Sequence, residues 1–363
     1  MNIGDQAFEI MRIFSELGPH RTGMKGQHDT FRWLASELTT SGADVSYQTF
    51  PFHYYEAEVS VRSEGRSINA LALHYSFTGE KNIRNRATGS VDAHADEAVI
   101  SKHINRMVDQ AKTDGCDGLV LGTQCPTGAL CAINREYTKG LGLPVILVAQ
   151  NNLNAILTND ADIFLSASVR KTLTQNVVAR FPGPIGARRI TVTTPISGWF
   201  QCAGERGCGL AVAILVARRL SDSYGVDLLL ANGHELGFLG GYHLAGSYAA
   251  GSQCVLHLGS CIANIDAQMT SICSADPPTL ERIATSLGKL DIKSIVPTQA
   301  ADENNWVGES MCWAVNGLPM LSIAGQAPHF HTNGDLPNIV TTPNLLAEMI
   351  DVIHDAALAL VDK

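Results

Sequence analysis

Apolar residues recur at helical spacing near the start of the chain, at Ala7, Ile10, Phe14 and Leu17. They do so again at Phe31, Leu34 and Leu38, where Gly42 follows as a C-cap. Val45, Tyr47 and Thr49 alternate with polar residues, which predicts a strand. Between 57 and 162 the pattern changes. Short β-like runs at 58–62 and 70–75 lead to a polar stretch at 79–98 that reads as a flexible edge. A helix at 101–113 then precedes apolar runs at 117–122 and 143–148. From 175 onward strands (176–181, 189–194, 226–232, 253–258, 318–324) alternate with helices (209–220, 238–250, 278–288, 342–361). This order predicts an α/β fold with a mostly parallel sheet flanked by helices, built from residues 1–56 and 163–363. Residues 57–162 read as a smaller inserted α/β domain.

Composition narrows the function classes. The chain has 363 residues, 45% of them hydrophobic, and a net charge of −9. That balance, with no Lys/Arg cluster, argues against a nucleic-acid surface. No apolar run approaches the ~18 residues that cross a bilayer. The start lacks the basic and apolar regions of a signal peptide, so a cytoplasmic protein is expected, with no membrane partner. Nine scattered cysteines without a CxxC pair read as reduced thiols. A homo-oligomer is compatible with all of this.

Four segments follow predicted strands, where open α/β sheets place their ligand crevice. They are Thr194-Pro-Ile-Ser197, Gly204-Glu-Arg-Gly-Cys-Gly209, His234-Glu235, and Pro328-His-Phe-His331-Thr-Asn-Gly-Asp335. His234-Glu235 is not a zincin HExxH, because position 238 is Phe. The glycines at 204, 207 and 209 do not form a dinucleotide fingerprint. Neither a GxSxG elbow nor a phosphate-binding Walker loop is present. Structural roles are open at each position. Glu235 suits a helix N-terminus, and His331 could bond Asp335 in a turn. His257 reads as a core histidine, and Glu309 as a support for the last strand. Trp199, Trp306 and Trp313 suit either core packing or a pocket wall. Histidines at 53, 74, 94 and 103 show no ligand spacing.

The whole chain resembles the aminopeptidase family that also contains glutamate carboxypeptidases, glutaminyl cyclases and the transferrin-receptor ectodomain. The resemblance rests on Gly18-Pro-His-Arg-Thr-Gly23, Leu34-Ala-Ser-Glu-Leu38, Asn176-Val-Val-Ala-Arg-Phe-Pro-Gly183, Gly204 to Gly209, His234-Glu-Leu-Gly-Phe-Leu-Gly-Gly241, Gly317-Leu-Pro-Met320 and His331-Thr-Asn-Gly-Asp335. It implies a zinc-exopeptidase-like fold with a protease-associated-like domain inserted at 57–162. That family uses two metals and five ligands. Its first His and an Asp fall in Thr194–Ser197 and near Gly259, where neither residue occurs. Its bridging Asp falls on Glu205, its catalytic Glu on His234, the adjacent ligand on Glu235 and the final His on His331.

The resemblance therefore implies one divalent metal held by Glu205, Glu235 and His331, with zinc first and Mn, Fe or Co as alternatives. His234 would be the acid/base group. The expected function is a single-metal, aminopeptidase-like hydrolase of an amide or related C–N bond in a peptide or small molecule. Two rivals are a binding protein that has lost catalysis, and a one-metal enzyme with cyclase- or lyase-like chemistry.

Overall fold

The computed structural model describes residues 1–135, 140–157, 161–288 and 295–362. They form two compact units, one of residues 1–50, 173–330 and 335–363, the other of 51–172 and 331–334. The chain passes from one to the other inside two twenty-residue strands, Asp44–Ser63 and Asp162–Phe181. The expected boundaries at 56/57 and 162/163 thus fall at or within long strands. The segment 331–334, expected with the larger domain, groups with the smaller one.

The first unit is built on parallel strands Met320–Gln326, Val255–Leu258, Arg189–Pro195 and Gly225–Ala231, adjacent in that order. Antiparallel strands flank them. Gln268–Ser274 pairs with Met320–Gln326, and the end of Asp162–Phe181 pairs with Gly225–Ala231 in the register Val226↔Phe181. Every residue of Gly225–Ala231 is buried, as expected of a strand covered on both faces. Its period-two alternation sends Leu228 and Leu230 to one core and Leu229 and Ala231 to the other.

The larger core packs helices Ile3–Leu17, Lys25–Thr40, Cys208–Leu220, Pro277–Leu287 and Pro343–Val361 on one face. Cys208–Leu220 is apolar nearly all round because the sheet and other helices enclose it. Helix Leu239–Tyr248 and the buried Trp306 and Trp313 pack in the cluster on the opposite face. Those two tryptophans are core residues. The closing helix is capped by Thr342, whose hydroxyl accepts from Leu345 N–H at 3.2 Å. Thr342→Ala is expected to cost about 1 kcal/mol, read by chemical denaturation.

The second unit has a four-stranded sheet in the order Ala70–Ala72, Val145–Ala149, Gly118–Gln124, Arg86–Asp92. Helix Glu97–Thr113 packs on it through Ile100, Ile104 and Val108. The polar stretch expected to be flexible contains two strands, Gly79–Asn82 and Arg86–Asp92. They escape detection because they carry few apolar residues and only Val91 of the second is fully buried. Gln268–Ser274 escapes for a related reason, since its inward positions include Ser271 and Cys273. Among the described residues no helix is long and apolar enough to cross a membrane, and the nine cysteines are free thiols.

Candidate functional site

The parallel strands end at 195, 231, 258 and 326, and the loops beyond them carry the chemistry-bearing residues. After Pro195 the chain runs through Ser197 into a left-handed Cys202 (φ 52°) and one π-helical turn, Ala203–Gly207. A non-glycine residue with positive φ is strained, and π turns gather at functional sites. This turn buries Glu205 and Arg206 side by side, each 1% exposed. Arg206 Nη2 lies 3.0 Å from Glu205 Oε1. Arg206 Nε–H donates to the Ser197 carbonyl at 2.8 Å, and its Nη1 is buried with no hydrogen-bond acceptor among the described residues. Asp335 holds the same turn from beneath, accepting from Gly204 N–H at 2.6 Å and Glu205 N–H at 2.8 Å.

After Ala231 the chain turns through Asn232 and left-handed Gly233 into His234-Glu235. Asn232 anchors this turn. Its side chain is bonded by Gln27 Nε2 and by Thr22 Oγ1 (3.0 Å), and it accepts from Gly233 N–H at 2.8 Å. His234 N–H donates to Ser197 Oγ at 2.9 Å, which ties the two loops together. The His234 ring is 15% exposed, with Nδ1 3.1 Å from Glu309 Oε2, and packs edge-on against Phe238. Thr22 N–H donates to Glu235 Oε1 at 2.6 Å, and Glu235 Oε2 is buried with no hydrogen-bond partner among the described residues. The Gly18–Gly23 segment therefore helps to hold Glu235.

Electrostatics follow burial. Glu309 is pushed up to about 8 by desolvation, with Arg206 opposing and Glu235 adding. Burial also raises Asp335 to about 7, against the two backbone N–H groups that favour its charged form. His257 falls to about 3 because it is buried and feels Arg206. It is a neutral core histidine, with Nδ1 2.9 Å from Ser322 Oγ.

Three of the four expected site residues, Glu205, His234 and Glu235, thus lie on connected loops of the first unit. His331 is carried by the second unit, where its carbonyl accepts from Ala132 N–H at 2.9 Å. Arg206, Asp335 and Thr22 were not singled out by their pattern. Arg206 could have been: it and Glu205 are the only charged residues between 189 and 218, inside an apolar run. Such a pair must be neutralised locally.

Within the first unit, Glu205 and Glu235 do not by themselves make a metal site. Glu205 Oε1 lies 3.0 Å from a guanidinium nitrogen of Arg206, and Glu235 Oε1 accepts a backbone N–H. Among the described residues, no group of three or more His, Cys, Asp or Glu side chains is arranged to hold a metal ion.

No family model and no curated protein matches the sequence. Solved structures do match. A zinc aminopeptidase from Bacillus subtilis has 15% identity over 99% of this chain and 95% of its own, with a TM-score of 0.78. An M28 peptidase precursor from Shewanella amazonensis has 16% identity over 99% and 94%, with a TM-score of 0.77. A glutaminyl cyclase from Porphyromonas gingivalis has 13% identity over 99% and 97%, with a TM-score of 0.54. At these identities the likeness is one of fold, and the chain has the zinc-exopeptidase fold shared by aminopeptidases, M28 peptidases and glutaminyl cyclases.

Proposed function

We propose that this chain is an aminopeptidase-like enzyme acting on an amide or related C–N bond, with His234 carrying the proton and Glu309 orienting it. The supporting observation is the 3.1 Å contact between His234 Nδ1 and the buried Glu309 carboxyl group, beyond the carboxyl end of a central strand. With Nδ1 turned to Glu309, Nε2 is the atom that exchanges a proton with substrate. When Glu309 is protonated it donates to Nδ1, and Nε2 bears the proton as an acid. When Glu309 ionises it accepts from Nδ1–H, and Nε2 becomes the base. In that form Nε2 takes a proton from the attacking nucleophile and returns it to the leaving nitrogen. No step passes through Glu205, which faces Arg206.

The substrate side chain has a site in the same unit. A cavity of about 300 Å³ is lined by Ser260, Thr270, Ile272, Val307, Ser322 and Gln326, among others, with no charged residue on its wall. The next residue along from Ser260, Cys261, donates its N–H to the Glu205 carbonyl, so the cavity borders the site loops. A small neutral side chain fits this lining.

The test is a panel of aminoacyl amides, short peptides, N-terminal glutaminyl peptides and N-acyl compounds, assayed in chelator and again with zinc. Turnover in chelator supports the proposal. No turnover under either condition, with thermal stabilisation by one of the compounds, favours the second reading, a binding protein on an aminopeptidase fold. The buried Arg206–Glu205 pair is the observation that favours it.

A further inference from the structure

We propose that Arg206 is the resident cation of this site, occupying the place of a metal between the Glu205 carboxylate and the loop after strand Arg189–Pro195. Glu205 is then a partner of Arg206 and not a metal ligand in this chain. The inference does not rest on the proton-carrier reading, because it is read from metal content and thermal stability.

Five carboxylate side chains of the first unit are buried: Asp227, which pairs with Arg180 and Arg189 at the far end of its strand, and Glu205, Glu235, Glu309 and Asp335 of the site loops. Negative charge removed from water requires a compensating cation or a proton. Arg206 is the buried Arg or Lys of this unit among the described residues. Its charge reaches beyond Glu205, acting on Glu309, Asp335 and His257. Its contacts link two segments that the family resemblance marks as ligand positions, through Nη2 to Glu205 Oε1 and through Nε–H to the Ser197 carbonyl.

On one side the carboxylate is closely packed by Gly198. A Cβ added at Gly198 would lie 2.6 Å from Cys202 Sγ and 2.9 Å from Glu205 Oε1. Guanidinium suits the role better than ammonium. It is planar, remains charged when buried, is weakly hydrated and spreads its donors over two acceptors. Because Ser197 Oγ accepts from His234 N–H, Arg206 is also a positioning residue for the His234 loop.

The test starts with the wild-type chain, dialysed against a chelator and then given zinc or manganese alone. The expected result is the same Tm before and after, with no stoichiometric metal by elemental analysis. One tightly held zinc per chain, lost in Glu205→Gln, overturns the proposal. Arg206→Ala should lower Tm, and methylguanidinium should restore it where zinc does not. Restoration by zinc and not by methylguanidinium overturns it. Should Arg206→Ala fail to fold, the wild-type titration still decides, joined by Arg206→Lys and Arg206→Gln. The Lys variant is expected to keep more of the wild-type Tm than the Gln variant, and the reverse order counts against a cationic role.

Discussion

His234→Ala is expected to lower turnover of a responsive amide substrate by about 10²–10⁴-fold, the usual contribution of a positioned acid/base group. Stability should fall by much less than the rate, on the order of 1–2 kcal/mol, because the buried Glu309 carboxyl group loses this partner. The ring is partly exposed, and its losses include an edge-on contact with Phe238 and the bond to Glu309. The backbone N–H that joins this loop to Ser197 is unaffected by the substitution. Glu309→Gln should act differently. It leaves the imidazole in place but removes the carboxyl group that switches its tautomer. The wild-type rate is therefore expected to rise through a pH near 8, where Glu309 ionises, and the Gln variant should lack that limb. Wild-type rates in His234→Ala on every substrate that the parent turns over would remove His234 from the mechanism.

Asp335→Ala is expected to be the most destabilising of these single changes at the site. The buried carboxyl group accepts two backbone N–H groups at the start of the π turn, at 2.6 and 2.8 Å. Removing it leaves two buried donors without acceptors, a loss on the order of 2–4 kcal/mol.

Asp335→Asn keeps one acceptor and should be milder, and it isolates a pH effect. Burial in the folded state holds Asp335 at about 7, well above the ordinary range of an aspartate, about 4. Between these values the native chain binds a proton that the unfolded chain has released. The contribution of this group is therefore full below about pH 4 and is lost as pH rises through 7. Glu309 extends the same trend to about 8. The limiting slope is about 1.4 kcal/mol per pH unit for each proton. Exposed carboxylates with lowered values, such as Asp29 and Asp276, act in the opposite sense but only at more acidic pH. Stability of the wild type should thus fall between pH 5 and 8, and Asp335→Asn should flatten the lower part of that fall. Parallel pH profiles for parent and variant, by thermal or urea unfolding, would contradict the raised Asp335.

Hydrophobic periodicity alone determined the helices and the parallel strands of the larger unit. A fully buried strand such as Gly225–Ala231 must be written as an apolar run, and a buried helix such as Cys208–Leu220 as a longer one. Strand order and loop position then put His234, Glu235 and Glu205 beyond the carboxyl ends of the strands. Strands with few buried apolar side chains left no such mark, which hid Arg86–Asp92 and Gln268–Ser274. The partners within the site were also invisible along the chain. Asp335 meets Glu205 across 130 residues, and Thr22 meets Glu235 across 213. The adjacent Arg206 could lie on either side of its helix turn, and a left-handed Cys202 followed by a π turn aims it at Glu205 and Ser197. The sequence therefore determined which residues lie at the sheet edge. Only the tertiary structure decided that Glu205 faces a guanidinium and that His234 faces a buried carboxyl group, because long-range contacts and one strained turn set those pairings.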